Sequence, residues 1–239
     1  MRPSPFSVIT DARARAVLER LHEQAHTQNL QLLRHYLPQL PRLLAGYGAR
    51  WHKRDLGFYD DKFIAIEAGQ GALLYQLARA AQARRIVEFG SSFGVSTIWL
   101  ASALRDTINC EPASRGGSGR DVVIGTEMVA AKVVAARQHI EQAGLGSYVE
   151  IREGDARETL RSLDGPIDFV LIDGFPDLAL EVLQLLTPKL RCGAIVVADN
   201  LGTFKSALAG YAAHVRDPAN GFTSLTLPWK GGTEFSIRQ

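Results

Sequence analysis

The chain has 239 residues, 46% hydrophobic and 22% charged, proportions that exclude a disordered or fibrous protein and leave room for one large α/β domain with a small appendage. Lys and Arg number 27 against 25 Asp and Glu, so the net charge of +2 sets up no field that argues for a nucleic-acid partner. The N-terminus MRPSPFSVITDARAR lacks the apolar run of a signal peptide and no stretch approaches the roughly 20 apolar residues of a membrane span, which makes a cytoplasmic protein without a membrane partner the expectation.

From Asp11 to Tyr36, apolar residues recur at helical spacing until Pro38 and Pro41 interrupt them, which predicts an N-terminal helical appendage. The following GYGARWHKRDLGFYDDKF has no clear period and reads as a connector whose aromatics are candidates to line a site. These elements divide the chain into an appendage and connector over 1–62 and a main domain over 63–239. In the main domain a helix near Gly71–Ala83 leads to a strand over Arg85–Phe89, and a second helix starts at Gly94. The next strands are Asp121–Glu127, Tyr148–Arg152, Ile167–Ile172 and Ala194–Ala198, each a continuous apolar run of the kind found in parallel strands buried on both faces. A mobile loop is expected over Pro112–Arg120. After a last helix near Phe204–Val215, Phe222–Leu227 and Thr233–Arg238 flank PWKGG as an antiparallel hairpin. The predicted fold is α/β, a Rossmann-like, doubly wound, mostly parallel sheet with its ligand at the carboxyl ends of the strands. Cys110 and Cys192 stand apart without CxxC or Cys/His grouping and are expected to be free thiols.

Four features carry chemistry. In VEFGSSFGVST the first strand ends on Glu88 and turns through Gly90 and Gly94 into a helix. Gly90 permits the sharp turn, Gly94 lets helix and strand pack closely, and Ser91 and Ser92 occupy the place where a dinucleotide motif needs its second glycine. An acidic residue before that turn suits a ligand with an amino group and a cationic centre better than a pyrophosphate. Glu127, at the end of the second strand, is placed to accept hydrogen bonds from both ribose hydroxyls of a nucleoside. Asp155 in GDA either receives an adenine amine or caps the helix beginning at Ala156. Finally, Asp173 ends the fourth strand and Asp199 with Asn200 end the fifth, a convergent oxygen set suited to Mg²⁺ or Ca²⁺.

Together, EAGQGALLYQLARAAQARRIVEFGSSFGVST, GTEM, EGDA, the strand-end Asp173 and GAIVVADN resemble the cation-dependent O-methyltransferases, the group of caffeoyl-CoA and catechol O-methyltransferases. The resemblance runs from about Phe63 to the C-terminus. It implies a seven-stranded fold and S-adenosylmethionine as methyl donor, held by Glu88, Gly90, Ser91, Ser92, Gly94 and Ser96 around the first turn, by Glu127 and Met128, by Asp155 and Ala156, and by Asp173. It also implies a divalent cation, Mg²⁺ by preference, on Asp173, Asp199 and Asn200, with Asp173 as the catalytic residue. A metal chelated by two vicinal acceptor oxygens acidifies and orients a hydroxyl, which favours a catechol-like small molecule. N-terminal helices in such proteins serve in dimer contacts or cover the site, so a homodimer is an expectation.

One departure stands out. Where the family commonly has a proton-accepting lysine three residues after the strand-end Asp, this chain has Pro176. The metal alone, or Asp177, Lys205 or a histidine, then has to serve, or the protein binds the nucleoside without catalysis. A nicotinamide oxidoreductase would need GxGxxG and a Tyr/Lys pair, and neither is present.

Overall fold

Runs of Val and Ile that are apolar on both faces are satisfied only between two layers of helix. In the computed structural model, which describes residues 3–51, 56–110, 121–229 and 231–239, those runs form β1 (Arg85–Phe89), β2 (Val122–Glu127), β3 (Val149–Glu153), β4 (Ile167–Ile172) and β5 (Leu190–Ala198), all parallel. β6 (Phe222–Leu227) and β7 (Thr233–Arg238) form an antiparallel pair, and β7 docks antiparallel on β5. The seven-stranded sheet runs β3-β2-β1-β4-β5-β7-β6, the expected Rossmann-like arrangement with its C-terminal hairpin. Strand order reverses between β1 and β4, so the loops leaving their carboxyl ends diverge and open a crevice.

The helices α1 (Ala12–Thr27), α5 (Ala68–Ala80), α6 (Val95–Asn109) and α7 (Ala130–Gln142) cover one face, and α8 (Ala156–Thr159), α9 (Ala179–Leu186) and α10 (Ala209–Arg216) cover the other. Ile86 of β1 enters the first core and its neighbour Val87 the second, as strand alternation requires. Trp99 of α6 is fully buried against Gly71 of α5, where any Cβ would collide with the indole.

Several boundaries differ from the sequence expectation, each for a local reason. α5 begins at Ala68 because Glu67 and Gln70 close a capping box there. α10 begins only at Ala209, since residues 201–208 are turns. β5 reaches back to Leu190. The N-terminal helix is capped by the Asp11 carboxylate, which accepts from the Ala14 amide at 2.7 Å, and it breaks at Gln28 into α2 (Asn29–Tyr36). Pro38 and Pro41 do not end the helical run: they sit in the first turns of Leu37–Gln39 and of α3 (Leu40–Leu44), where proline's missing N–H costs nothing. α1 buries Ala14, Val17, Leu18 and Leu21 in the core that holds Trp99, so the appendage shares the sheet's own hydrophobic core. The connector contains the short α4 (Leu56–Tyr59). The Pro112–Arg120 loop lies outside the described residues. Cys110 and Cys192 are free and exposed, and among the described residues no helix is long and apolar enough to cross a membrane.

Candidate active site

The turn after β1 is built on close backbone contacts. Gly90 has φ +97°, and a Cβ there would lie 2.6 Å from the Asp173 carbonyl and from the Gly174 Cα, so the loops after β1 and β4 touch at this point. Ser92, at the place of a dinucleotide motif's second glycine, adopts a left-handed φ of +46°, which is uncommon for a residue other than glycine. Gly94 packs against Ala136 of α7, 3.3 Å from where its Cβ would be, so the close contact it allows is between helices. Glu88 is fully buried beneath the turn and does not line the cavity above it. Its carboxylate accepts from Ser91 Oγ at 2.7 Å and from Thr97 Oγ1. Burial pushes its pKa up, while the hydroxyls of Ser96, Thr97 and Ser91 hold it down.

A cavity of about 250 Å³ opens at the crevice. Gly90, Ser91, Ser92, Ser96, Glu127 and Met128 line one side, and the Ser92 hydroxyl is buried there without a hydrogen-bond partner. The Glu127 carboxylate is fixed by two amides, Ser92 N at 2.9 Å and Val129 N at 2.8 Å. Gly154 and Ala156 also line the wall. Asp155 does not. Its carboxylate caps α8 through the Arg157 amide at 2.9 Å and pairs with the Arg157 guanidinium at 2.6 Å, which holds its pKa below the usual range.

Asp173 and Asn200 line the opposite side, and Asp199 stands behind them. Adjacent parallel strands bring the three together: Asn200 Nδ2 lies 3.4 Å from Asp173 Oδ1, and Asp199 Oδ1 accepts from Gln70 Nε2 at 2.7 Å and Thr233 Oγ1 at 3.3 Å. Burial, reinforced by the negative charges of Asp199 and Glu88, drives the Asp173 pKa well up, and burial also raises that of Asp199. Among the described residues no group of three or more His, Cys, Asp or Glu side chains is placed to hold a metal; the set here is two carboxylates and an amide. Two enclosed carboxylates and an amide side chain suit a hard divalent cation, which would offset the burial that raises both pKa values.

The connector roofs the cavity with aromatics, which its aperiodic sequence only hinted at. Trp51 is the hub: its ring centroid lies 5.5 Å from Tyr59, 5.6 Å from Phe175 and 5.5 Å from Phe204. The Trp51 indole N–H donates to Asp177 Oδ1 at 3.0 Å, and the Tyr36 and Tyr59 hydroxyls are 2.8 Å apart. Ala49 N donates to Thr203 O at 2.6 Å and ties this strap to the turn after β5. Pro176 is buried in the cavity wall, whereas Asp177 is engaged by Trp51 and Lys205 is exposed and outside the lining. Sequence reasoning also missed Lys132, a buried lysine on α7 that lines the cavity and donates to the Tyr59 carbonyl at 2.7 Å. Burial lowers its pKa while the Glu127 charge opposes the shift. The available signal was a single cation inside the otherwise uncharged VAAKVVAA.

Residues 87–201 match the family described as a methyltransferase domain. The chain is 36% identical over 139 residues to a catechol O-methyltransferase of Mycobacterium tuberculosis, covering 58% of this chain and 57% of that one. It is 34% identical over 142 residues to a catechol O-methyltransferase of Niastella koreensis, covering 58% of each. The aligned region thus spans less than two thirds of the length of these relatives. The fold superimposes with a TM-score of 0.64 on an O-methyltransferase from Bacillus cereus in complex with S-adenosylhomocysteine, at 21% identity over 94% of this chain and 91% of that one. Residues 87–201 thus match a methyltransferase domain, and the chain is similar to O-methyltransferases.

Proposed function

We propose that the protein is an S-adenosylmethionine-dependent O-methyltransferase acting on a small molecule with vicinal oxygens, assisted by a divalent cation on Asp173, Asp199 and Asn200. The observation that carries this reading is one cavity at the strand-order switch with a nucleoside-type wall at Ser92 and Glu127, a hard-ligand wall at Asp173 and Asn200, and an aromatic roof. In those places S-adenosylmethionine would supply the methyl group and the cation would acidify a chelated hydroxyl. Glu127, held by two amides, presents its remaining lone pairs to ribose hydroxyls. Ser92 offers a hydroxyl that has no partner within the protein, and Asp173 offers a carboxylate to a cationic group. Trp51, Phe175 and Phe204 give a flat acceptor a surface to stack on and keep bulk water out.

With Pro176 in the wall, the protein has no lysine at that position to take the acceptor's proton, so transfer is expected to be slow for acceptors whose hydroxyl is weakly acidic. The test is S-adenosylhomocysteine release with a catechol panel, with and without Mg²⁺. Turnover that requires the metal and is abolished in Asp199→Ala supports the reading. Turnover that survives chelation and this substitution removes the metal from it, and absence of both turnover and S-adenosylhomocysteine binding refutes it.

A further inference from the structure

Residues 24–51 contain no Asp or Glu, and the sequence continues through His52, Lys53 and Arg54 before its next acid, Asp55. Residues 24–54 therefore hold five of the 27 Lys and Arg and none of the 25 acids, which leaves 22 basic against 25 acidic residues elsewhere: a basic segment on an acidic body. Within it, α2, the turn Leu37–Gln39 and α3 form one nearly continuous helical run, with Leu37 and Leu40 in helical conformation at the junctions. Two apolar stripes lie side by side on this run. Leu32, Tyr36 and Leu43 turn inward, the first two onto the cavity and the last onto the core. Leu33, Leu37, Leu40 and Leu44, spaced four, three and four apart, turn outward and are 42–80% exposed, with Tyr47 at 63% just beyond them. Those five are most of the nine large hydrophobic residues exposed among the described ones, so the apolar surface is gathered on one element. Arg34 and Arg50 are exposed beside it.

We infer that this face seats the protein on an anionic lipid surface. Leucines and a tyrosine on one side of a helix, flanked by arginines and lacking acids, are what an interfacial helix needs: apolar area to bury at the headgroup boundary and cations to meet acidic headgroups. Charge complementarity points to this occupant, because the exposed leucine stripe carries arginines and no acid, which matches a surface of acidic headgroups. The absence of a spanning helix among the described residues agrees with a peripheral mode. Because the neighbouring stripe lines the cavity, docking would place the roof of that cavity at the membrane surface.

The probe is vesicle co-sedimentation with phosphatidylcholine alone and with equimolar phosphatidylcholine and phosphatidylglycerol. The expected result is binding to the anionic vesicles only, weakening as salt rises. Leu37→Glu combined with Leu44→Glu removes exposed side chains and leaves the core intact, so circular dichroism and the melting temperature should hold while partitioning falls by more than about tenfold. Arg34→Glu with Arg50→Glu should lower binding to anionic vesicles with the same fold retained. Equal binding to both vesicle types, no binding to either, or wild-type binding by the leucine variant overturns the inference. A wild-type dimer in sedimentation velocity that the leucine variant dissociates, without vesicle binding, overturns it too and assigns the face to a second copy.

Discussion

Glu127 reaches the cavity with its carboxylate already bridged by the amides of Ser92 and Val129, so little entropy remains to be lost when it takes up a ligand. Charge-assisted hydrogen bonds of this kind are worth about 1.5–3 kcal/mol each. Glu127→Gln keeps the volume and removes the charge, and calorimetry should find S-adenosylhomocysteine bound at least about tenfold more weakly; unchanged affinity would remove Glu127 from the nucleoside site. Pro176 poses the converse question of what a missing group costs. A positioned general base typically contributes about 10²–10⁴-fold, so a protein without one should show a rate that climbs with pH as the acceptor ionises. Pro176→Lys should raise the rate on a catechol at neutral pH and flatten that climb. The proline stands in the first turn of Pro176–Leu178, where a lysine can adopt the same backbone. A wild-type rate already on a plateau at neutral pH would point to another base.

At the scale of elements, the site exists because two turns cross in van der Waals contact. Gly90→Ala would drive a Cβ to 2.6 Å from the backbone of Asp173 and Gly174 at a φ of +97°, so the turn after β1 and the strand-end carboxylate must separate. The expected cost is about 1–3 kcal/mol of stability, read as a lower melting temperature, together with loss of S-adenosylhomocysteine affinity; a variant that melts and binds like wild type would mean the turns move apart freely. This turn, the seven strands and the Asp173, Asp199 and Asn200 rim were readable from sequence, because buried parallel strands leave apolar runs and glycine marks sharp turns. Tertiary effects were not. Whether Asp155 faces a ligand or Arg157 depends on where the arginine folds back, and no periodicity in 46–63 announces that Trp51 reaches Asp177, 126 residues away in sequence. Pro38 and Pro41 look like helix breakers until the run is seen to restart at each of them.

For the molecule as a whole, the N-terminal segment is both a structural wall and a roof. α1 completes the core around Trp99, and α2 and the connector close the cavity. The joint between the appendage and the sheet includes His22 of α1, which is buried beside Phe6 and receives the Trp99 indole N–H on Nε2 at 3.4 Å. A ring nitrogen that accepts a hydrogen bond carries no proton, so the folded protein holds this histidine neutral. Burial, aided by the charge of His26, pushes its pKa down from 6.5 to about 4. The unfolded chain therefore binds a proton here that the folded protein refuses. His22 has no effect on stability well above pH 6.5, and it subtracts from stability progressively as the pH falls from 6.5 towards 4. Buried Glu88, Asp173 and Asp199 act in the opposite sense, because their raised pKa values let the folded state take up protons first. A single wild-type curve mixes these contributions, but comparison with His22→Phe separates them, since the carboxylates are common to both proteins. Thermal midpoints followed across that window should fall more steeply in the wild type than in the variant. Parallel curves would mean that the appendage stays docked for reasons independent of His22.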